Sequence, residues 1–490
     1  MQGHQTPADR FNQKVAVSVV FVAAMFMNII DITIVNVALP SMARDLHASG
    51  TSVSAVAVAY LVALAVVIPA SGWLGDRFGH RRILLLAIVI FTLASALCGL
   101  AQNLLQIVLF RILQGVGGGM LTPVGMALLY RTFPPSERVR AASILTVPTT
   151  LAPALGPVLG GVLVTGLSWR WVFLVNLPIG AAALIFGLIF LADQESDPAG
   201  RFDVVGFALS GVGFAALMFG VSEGGQRGWG RPSIIAALAI GTVLLSVLLR
   251  QQLRVREPLL ALRLFGNRLF RSTSAVLFVS TASFLGILYT VALFFQDGLG
   301  LSALASGLST FPEAFGVMIG AQVVSRLLYQ PFGPRRIMVG GLFALGVTML
   351  LMTMISSRSE LWQMRGLMFV LGYCMAHVMV PSQAASMAQI DRASTGRAST
   401  LFNAVRQLGS ATGIAVLSTV LSAVGFTVTR THAGSRAVPD LAAYHWAFAV
   451  AAAFAFVGGL LALSIHDGDA DTTRAARQPR DEPAPASAVA

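Results

Sequence analysis

Long apolar segments recur along the whole chain, and they constrain its fold more than any other feature. Each has roughly 20 residues, the length that an α-helix needs to cross the hydrocarbon core of a bilayer. A spanning segment must satisfy its own backbone hydrogen bonds, which favours helices. The fourteen predicted segments are residues 15–40, 52–75, 82–101, 104–130, 141–165, 171–192, 204–222, 233–250, 272–296, 303–328, 337–356, 361–381, 398–425 and 441–466. An all-α integral membrane protein is expected.

The composition supports this class and excludes several others. Hydrophobic residues make up 56% of the 490 residues and charged residues only 11%, with a mean hydropathy of +0.78, which is outside the range of soluble domains. Cys98 and Cys374 both lie inside apolar segments, so neither a disulfide nor a metal site is predicted. We also expect no cofactor.

The positive charge is distributed in a way that indicates membrane orientation. The net charge is +12, but the basic residues are spread over short loops and form no single patch, so no nucleic-acid partner is predicted. Most of them lie in alternate loops, beginning with Arg10 and Lys14 before the first segment. Because cytoplasmic loops of membrane proteins are enriched in lysine and arginine, we expect both termini to be cytoplasmic and the protein to lie in the cytoplasmic membrane.

An internal repeat predicts the domain organisation. The segment opened by Arg111 aligns with that opened by Arg365, and the segment opened by Arg140 aligns with that opened by Arg397. The repeat runs parallel, as in some transporter folds. It predicts a cytoplasmic N-terminus (1–14), a six-helix bundle (15–192), two extra transmembrane helices (203–250), a cytoplasmic amphipathic linker (251–271), a second six-helix bundle (272–466) and a disordered cytoplasmic tail (467–490).

The linker allows two interpretations. Residues 254–271 mix leucine and phenylalanine with arginine, which suits a helix lying on the membrane surface. An ordinary basic connection between the two halves is equally compatible with this composition. From residue 467 onward the chain has little apolar surface to bury, which favours disorder.

Three ionisable residues inside apolar segments are candidates for proton coupling. At 1.5 Å per residue, Asp31, Arg111 and Glu313 all lie about 12–15 Å from one membrane surface. They could therefore share one layer near the midplane, where coupling-ion sites occur in transporters built from repeats. Asp31 could instead anchor a buried polar network, and Glu313 could be the structural partner of an arginine.

Polar residues on two segments predict a substrate cavity. Asn28 shares a helix face with Asp31, because residues three apart lie on one side of a helix. The thirteenth segment carries a second polar face, for which a structural role and a functional role are equally compatible with the sequence. The predicted cavity residues are Asn28, Asp31, Glu313, Asn403, Arg406 and Gln407.

Two glycine-containing motifs predict a gate and a tightly packed helix. The second segment ends in the sequence GWLGDRFGHRR, in which Asp76 lies where the helix dipole disfavours an anion. Asp76 therefore needs a cationic partner or a facing helix N-terminus. The predicted gate residues are Gly72, Asp76, Arg77, Gly79 and Arg81, and the small-residue stripe of the fifth segment comprises Pro153, Gly156, Pro157, Gly160 and Gly161.

These motifs resemble those of the major facilitator superfamily. The residues 72–82 are similar to its loop signature, 111–119 to its fourth-span signature, and 152–161 to the signature of its exporters, with Ala152 in place of the usual first glycine. The motifs DITIVNVALP, WRWVFLVNLP and EPLLALRLF resemble the fourteen-span drug:proton antiporters of the QacA/EmrB type. The resemblance implies two six-helix bundles plus two extra helices, and proton-driven export of lipophilic, often cationic compounds by alternating access.

The same resemblance implies roles for individual residues and leaves other functions open. It implies that Asp31 takes part in proton coupling, that Arg111 tunes it, and that Asp76 and Arg77 help to close the cytoplasmic side. The expected partners are small-molecule substrates, protons and membrane lipid, with the protein acting as a monomer. Alternatives are a dedicated exporter of one endogenous metabolite, lipid or antibiotic, and a non-transporting membrane sensor. An enzyme is not expected, because no nucleophile, base and orienting group can be assembled from the motifs.

Overall fold

The computed structural model is almost entirely helical, as the apolar segments predict. It describes residues 11–47, 50–53, 55–193, 200–255, 257–391, 393–424, 427–428, 438–439 and 441–474. In this part of the chain the only β-structure is an antiparallel pair of two-residue strands, Thr427–Val428 (β1) and Val438–Pro439 (β2). The all-α class is therefore confirmed.

The first half of the chain forms six long helices. Short polar caps define several of their ends: the Asn12 side chain accepts a hydrogen bond from the Lys14 amide at the first, and Asn103 accepts one from the Gln106 amide at the fourth. The helices are α1 (Gln13–Asp45), α2 (Ala55–Phe78), α3 (His80–Leu100), α4 (Leu104–Thr132), α5 (Arg138–Gly166) and α6 (Asn176–Phe190). Short helices at Gly50–Val53, Pro135–Glu137 and Trp171–Leu174 connect some of them.

Two further helices, α7 (Val204–Arg227) and α8 (Pro232–Arg254), pair with each other between the halves. The Asp203 side chain caps the start of α7, and Gly228, at φ 93°, ends it in a conformation that favours glycine. Helix α7 packs against α2 of the first half and also against the second half.

The second half again contains six long helices. They are α9 (Arg268–Leu293), α10 (Pro312–Val323), α11 (Tyr329–Met352), α12 (Leu361–Ser386), α13 (Thr395–Val424) and α14 (Leu441–Ala462). A π-helical turn, Phe294–Gly298, extends α9; the helix Ala303–Thr310 precedes α10, and a second π-helical turn, Val324–Leu328, follows it. Short helices lie at Leu262–Gly266, Arg358–Glu360, Asp467–Ala470 and Asp471–Arg474.

Twelve helices in the described part of the chain are long and apolar enough to cross a membrane. One of these twelve candidates, residues 305–352, has 48 residues and contains both α10 and α11; a break at Gly333, at φ 73°, lies inside it. Helix α5 is not among the twelve. Its described apolar stretch, residues 151–166, is shorter than the length required of a spanning candidate. A multi-pass membrane protein is confirmed, and the count of fourteen stays a prediction.

The two halves repeat the same helix pairings. Helix α1 packs on α5 as α9 packs on α13, and α2 packs on α4 as α10 packs on α12. Equivalent glycines lie at these contacts: a Cβ on Gly156 would meet Thr33 of α1, and one on Gly413 would meet the backbone of Ala282 in α9. The repeated contacts match the parallel repeat in the sequence.

The halves contact each other near the helix ends at which Arg77, Arg131 and Arg397 lie, which we call the arginine-rich end. Here the Ser399 hydroxyl donates to the Pro123 carbonyl at 2.8 Å, and Thr400 lies against Gly72. Valines and alanines of α5, α10 and α12 join one apolar cluster across the same interface. This end of the structure is closed.

Of the two interpretations of the linker, the structure favours an ordinary connection between the halves over a surface helix. Helix α8 continues to Arg254, a non-helical stretch follows, and only the short turn Leu262–Gly266 precedes α9. Pro258 interrupts the segment, and Leu259 and Leu260 turn inward to buried positions. Their burial within the protein removes the continuous apolar face that a helix on the membrane surface needs.

The predicted disorder of the tail is wrong for residues 467–474. Asp467 accepts a hydrogen bond from the Arg335 amide at 2.9 Å, beside the positive-φ Gly333. Further along, the Thr473 and Tyr329 hydroxyls lie 2.9 Å apart in a buried contact. Polar hydrogen bonds therefore hold a segment that has little apolar surface. Residues 475–490 lie outside the described part of the chain.

Candidate functional site

Asp31 lies in a buried polar network inside the first half. Its side chain is 0% exposed and forms an ion pair with Arg111, which is 1% exposed. Gln114 connects the two: its amide donates to Asp31 Oδ1 at 2.8 Å, and its carbonyl accepts from Arg111 at 2.8 Å. Helix α4 supplies both partners because Arg111 and Gln114 are three residues apart on one face. A buried carboxylate is stable only with such partners.

Two more helices complete the network. The Asn176 amide of α6 donates to Asp31 Oδ1 at 3.3 Å and to the Ser95 hydroxyl of α3 at 3.1 Å. Ser95 in turn donates to the Phe173 carbonyl at 2.9 Å. Sequence reasoning missed Gln114, Asn176 and Ser95 as site residues. The three-residue spacing from Arg111 could have indicated Gln114, whereas no local pattern indicates Ser95.

A second polar chain leads from this network toward the interface between the halves. Arg111 lies over the Tyr60 ring at 4.1 Å, and the Tyr60 hydroxyl donates to Asn28. Asn28 donates to the Thr122 hydroxyl at 3.3 Å and to the Gly118 carbonyl at 3.3 Å. The predicted cavity residue Asn28 is thus linked to the ion pair through Tyr60, another residue that sequence reasoning missed.

A small cleft between the halves begins where this chain of hydrogen bonds ends. Its walls come from α1 and α4 on one side and α12 and α13 on the other, and its lining residues are Phe21, Met25, Thr122, Met126, Gln383, Phe402, Asn403 and Arg406. Asn403 and Arg406 were predicted for the cavity. Gln407 does not line the cleft, and Asp31 lies behind Asn28 and Tyr60 instead of at its surface.

Glu313 lies apart from the Asp31 network. Its side chain is 4% exposed at the start of α10, and its backbone packs tightly on Gly372 of α12. Within the described part of the chain its carboxylate makes neither a hydrogen bond nor an ion pair. Asp31 and Arg111 form a pair in the first half and Glu313 lies in the second half; the shared depth of the three groups stays a prediction.

Asp76 at the arginine-rich end is next to cationic side chains and also faces a helix N-terminus, the two kinds of partner predicted from its position. Arg131 donates to Asp76 at 3.1 Å, and Arg397 of the second half lies 3.7 Å from its other oxygen. His80 lies 3.7 Å away. The first turn of α13 also faces the carboxylate, since a Cβ on Gly396 would lie 2.7 Å from Asp76. The positive end of that helix and two arginines surround the anion.

The other predicted gate residues have different surroundings. Gly72 permits close packing of the halves, since a Cβ there would lie 2.5 Å from the Thr400 hydroxyl, and Gly79 adopts a φ of 89° at the turn into α3. Arg81 pairs with Asp193 at 2.7 Å within the first half. Arg77 is exposed and forms no ion pair among the described residues.

Replacing Asp76 by asparagine should open the arginine-rich end. The change removes the negative charge that attracts Arg397 and the first turn of α13, both in the second half, so the closed population should fall. Distances between spin labels at the exposed residues Arg82 and Arg336, one in each half, report this opening. Asp193→Asn is the control, because its ion pair lies within one half. Identical distance distributions for Asp76→Asn and wild type would contradict the prediction.

In the small-residue stripe of α5, Gly156 and Gly160 pack on α1 and Gly161 does not. A Cβ on Gly156 would overlap the Thr33 hydroxyl, and one on Gly160 would lie 3.1 Å from Ile34. Gly161 has nothing within 4 Å of a Cβ. Pro153 and Pro157 lie within α5, in the helical turns next to Gly156. The side chain of Pro157 is outside the described part of the chain.

Gly156→Ala and Gly161→Ala should therefore differ strongly although both change the same motif. The first forces α5 away from α1 and should lower the free energy of unfolding by about 1–3 kcal/mol. The second places a methyl group in open space and replaces a poor helix former, so it should be neutral or slightly stabilising. Thermal unfolding of the two purified variants measures the difference. Equal losses would contradict the close packing of α5 on α1 at Gly156.

Comparisons with known proteins agree with the geometry. Residues 21–414 and 313–489 match the family model described as Major Facilitator Superfamily. A Multidrug resistance protein B homolog of Mycobacterium tuberculosis (strain ATCC 25618 / H37Rv) is 32% identical over 407 residues, 82% of this chain and 75% of that protein. The putative multidrug resistance protein MdtD of Escherichia coli O7:K1 (strain IAI39 / ExPEC) is 40% identical over 335 residues, 67% of this chain and 69% of that protein.

A solved structure has the same fold. The crystal structure of the human organic anion transporter MFSD10 (TETRAN) superposes with a TM-score of 0.65, covering 92% of this chain and 99% of that one, at 18% sequence identity. At this identity the similarity concerns the fold alone.

Proposed function

Because the chain belongs to the major facilitator superfamily, we propose that it exports lipophilic, often cationic compounds by alternating access and takes up protons in exchange. Family membership makes it a membrane transporter and not an enzyme. Drug export is supported by relatives whose names describe multidrug resistance proteins. The proton exchange rests on the residues around Asp31.

The single observation that carries the proposal is the ion pair of Asp31 and Arg111, fully enclosed in the first half. A proton on Asp31 removes the negative charge that holds Arg111, Gln114 and Asn176 in place. The helices that supply these groups can then change their packing. In a membrane potential, each proton moving inward supplies about 2.3 kcal/mol per 100 mV. Protonation of Asp31 would thus supply the free energy of the conformational change.

The route from this pair to the substrate passes through three side chains. Tyr60 contacts Arg111, Asn28 accepts from Tyr60, and Thr122 accepts from Asn28 at the wall of the cleft. A substrate in the cleft would therefore alter the same hydrogen bonds that position Arg111. In this proposal Asn28, Asn403 and Arg406 contact the substrate, while Asp31 exchanges the proton. Glu313, buried in the second half, is a second proton or cation site.

The closed arginine-rich end corresponds to one state of the cycle. We propose that this end faces the cytoplasm, because short basic loops stay on that side, and that Asp76 and its arginine partners form the cytoplasmic gate. The structure then has its halves closed inside, in the state that receives protons from outside. The protein would act as a monomer surrounded by lipid in the cytoplasmic membrane, with fourteen spans and with both termini inside.

A transport assay tests the function directly. Everted vesicles containing the protein are given an imposed pH gradient and a panel of fluorescent lipophilic cations, neutral compounds and organic anions. Uptake of several lipophilic cations that collapses when the gradient is dissipated is the expected result. Gradient-independent movement, or the movement of no compound, would contradict the proposal.

One observation favours a second candidate, a dedicated exporter of an anionic metabolite. Arg406 lines the cleft, and in the described part of the chain it has no carboxylate partner. An unpaired guanidinium at a cleft wall attracts carboxylates and phosphates. Preferred transport of organic anions in the same panel, lost in Arg406→Gln, would favour this candidate over the multidrug exporter.

A further inference from the structure

An open groove lies between the two halves at the arginine-rich end, separate from the cleft that Asn403 and Arg406 line. Its walls come from the start of α5 and from the end of α10 with the π-helical turn that follows it. Its volume is about 520 Å³, within the range of roughly 300–1,000 Å³ that is typical of small-molecule sites. The lining residues are Arg140, Ser143 and Ile144 of the first half and Gln322, Ser325 and Arg326 of the second.

Two arginines, one from each half, give this groove its charge. Arg140 and Arg326 are exposed, and neither forms an ion pair or a side-chain hydrogen bond with any residue that the structure describes. Gln322 is also exposed, with a side-chain amide that has no hydrogen bond in the same part of the chain. The Ser143 and Ser325 hydroxyls donate to carbonyls of their own helices, at 2.8 Å and 3.3 Å. Among the described residues no carboxylate lines the groove, so its charge is positive.

The positive charge of the groove is unfavourable when the halves are closed. Two like charges that face one groove repel each other, and the repulsion is stronger where lipid or protein replaces water. An anion between Arg140 and Arg326 offsets this repulsion and attracts one side chain from each half. The nearby arginines Arg131 and Arg397 already have such an anion in Asp76. The groove therefore needs an anion that the described part of the chain does not supply.

The face of α10 that leads into the groove changes from apolar to polar. Phe315 and Ile319 share a face with Gln322, because residues four and seven apart lie on one side of a helix. They are 49% and 48% exposed, which in a membrane-spanning helix places them against lipid. Arg326 follows in the π-helical turn Val324–Leu328, an element that is frequent at functional sites. A molecule with an anionic head and an apolar tail matches this order of residues, whereas a small free anion gains nothing from Phe315 and Ile319.

We propose that the groove binds the phosphate headgroup of an anionic phospholipid, whose acyl chains lie along Phe315 and Ile319. The planar guanidinium groups of Arg140 and Arg326 match the geometry of phosphate oxygens, and basic pockets between transmembrane helices bind anionic headgroups. Because one headgroup contacts both halves, the lipid stabilises the closed arginine-rich end. The site depends neither on which compound is transported nor on proton coupling, and it can be tested without transport.

Native mass spectrometry of the purified full chain tests the site. Phosphatidylglycerol and phosphatidylcholine with the same acyl chains are titrated separately, and the dissociation constant of the tightest lipid adduct is measured. Wild type should bind phosphatidylglycerol more tightly than phosphatidylcholine. Arg140→Gln and Arg326→Gln should each weaken phosphatidylglycerol binding about fivefold, and the double variant about 30-fold, which corresponds to roughly 1 kcal/mol for each arginine. The double variant with lysine at both positions keeps the charge and should retain most of the binding.

A matched double variant controls for the general loss of positive charge. Arg82→Gln with Arg336→Gln removes two exposed arginines from the same end, one from each half and both outside the groove, and should bind phosphatidylglycerol as wild type does. Phosphatidylglycerol with a diazirine in its acyl chain should label the peptide that contains Phe315 and Ile319. Equal binding of the two lipids, equal losses in the groove and control double variants, or a loss confined to one of the two groove arginines would overturn the proposal. Displacement of phosphatidylglycerol by an equal concentration of inorganic phosphate would indicate a site for free anions and would overturn it as well.

Discussion

Replacing Asp31 by asparagine should reduce proton-driven efflux to the level of vesicles without the protein. Asparagine has nearly the same shape, but its one carbonyl oxygen can replace only one of the two carboxylate oxygens to which Arg111 and Gln114 donate, and it cannot gain or lose a proton in the working pH range. The expected effect is a loss of coupling, accompanied by a loss of stability because Arg111 stays buried without its anion. Efflux of a fluorescent cation under an imposed pH gradient measures it.

Two controls separate coupling from general damage. Asp31→Glu keeps a titratable group at the same place and should retain part of the activity, although the longer side chain disturbs a fully packed network. Asp469→Asn changes a carboxylate in the short helix after α14, remote from the network, and should leave efflux unchanged. Wild-type efflux in Asp31→Asn would remove Asp31 from the mechanism.

Replacing Arg111 by methionine should destabilise the protein far more than the loss of an exposed ion pair would. The variant leaves the Asp31 carboxylate buried without its cation and leaves the Val56 carbonyl without its donor. Breaking a buried ion pair from one side costs about 3–5 kcal/mol. Unfolding of the purified protein in detergent, followed by thermal or denaturant titration, measures this loss.

The double variant Arg111→Met with Asp31→Leu is the matched control. Replacing both charges by apolar residues of similar size is often neutral for stability, so the double variant should regain most of the lost free energy of unfolding. It should still fail to couple transport to protons. A single Arg111→Met variant as stable as wild type would show that the pair contributes little to stability despite its complete burial.

Site residues that stand out within their own apolar segment could be predicted from the sequence, and those that depend on contacts between helices could not. Asp31 and Arg111 stand out because ionisable residues in apolar segments are rare, and simple helix geometry puts them at similar depth. Asn176 and Ser95 belong to other helices, and only tertiary packing brings them to Asp31. The internal repeat already placed Glu313 in the second bundle, but its depth gave no position within the membrane plane and so could not show its distance from Asp31.

The proposed gate shows the same limit. The position of Asp76 at the end of α2 predicts that it needs a cation or a helix N-terminus, and the structure supplies both. Arg77, its neighbour in sequence, is not the partner; Arg131 comes from α4, and Arg397 from the second half. Which of many arginines meets Asp76 depends on the packing of α4 on α2 and on how the two halves dock, and the loop sequence does not contain this information.

The fold followed from the apolar segments, and the errors occurred outside them. The mixture of leucine, phenylalanine and arginine in 254–271 suits a surface helix, but Pro258 and the burial of Leu259 and Leu260 inside the protein prevent it. The polar stretch 467–474 lacks apolar surface, yet Asp467 and Thr473 bind groups of the second half. Composition predicts which segments bury apolar surface. It does not predict that a polar segment such as 467–474 is held against the second half by hydrogen bonds.

Proton flux in liposomes measures directly whether Asp31 carries a proton in exchange for substrate. Purified protein is reconstituted with a pH-sensitive dye in the lumen, and a gradient of a transported cation is directed outward. The lumen of wild-type liposomes should acidify as substrate leaves, because each exported cation is exchanged for protons, and the lumen pH of Asp31→Asn liposomes should stay constant. Equal acidification in both would contradict a proton-carrying role for Asp31.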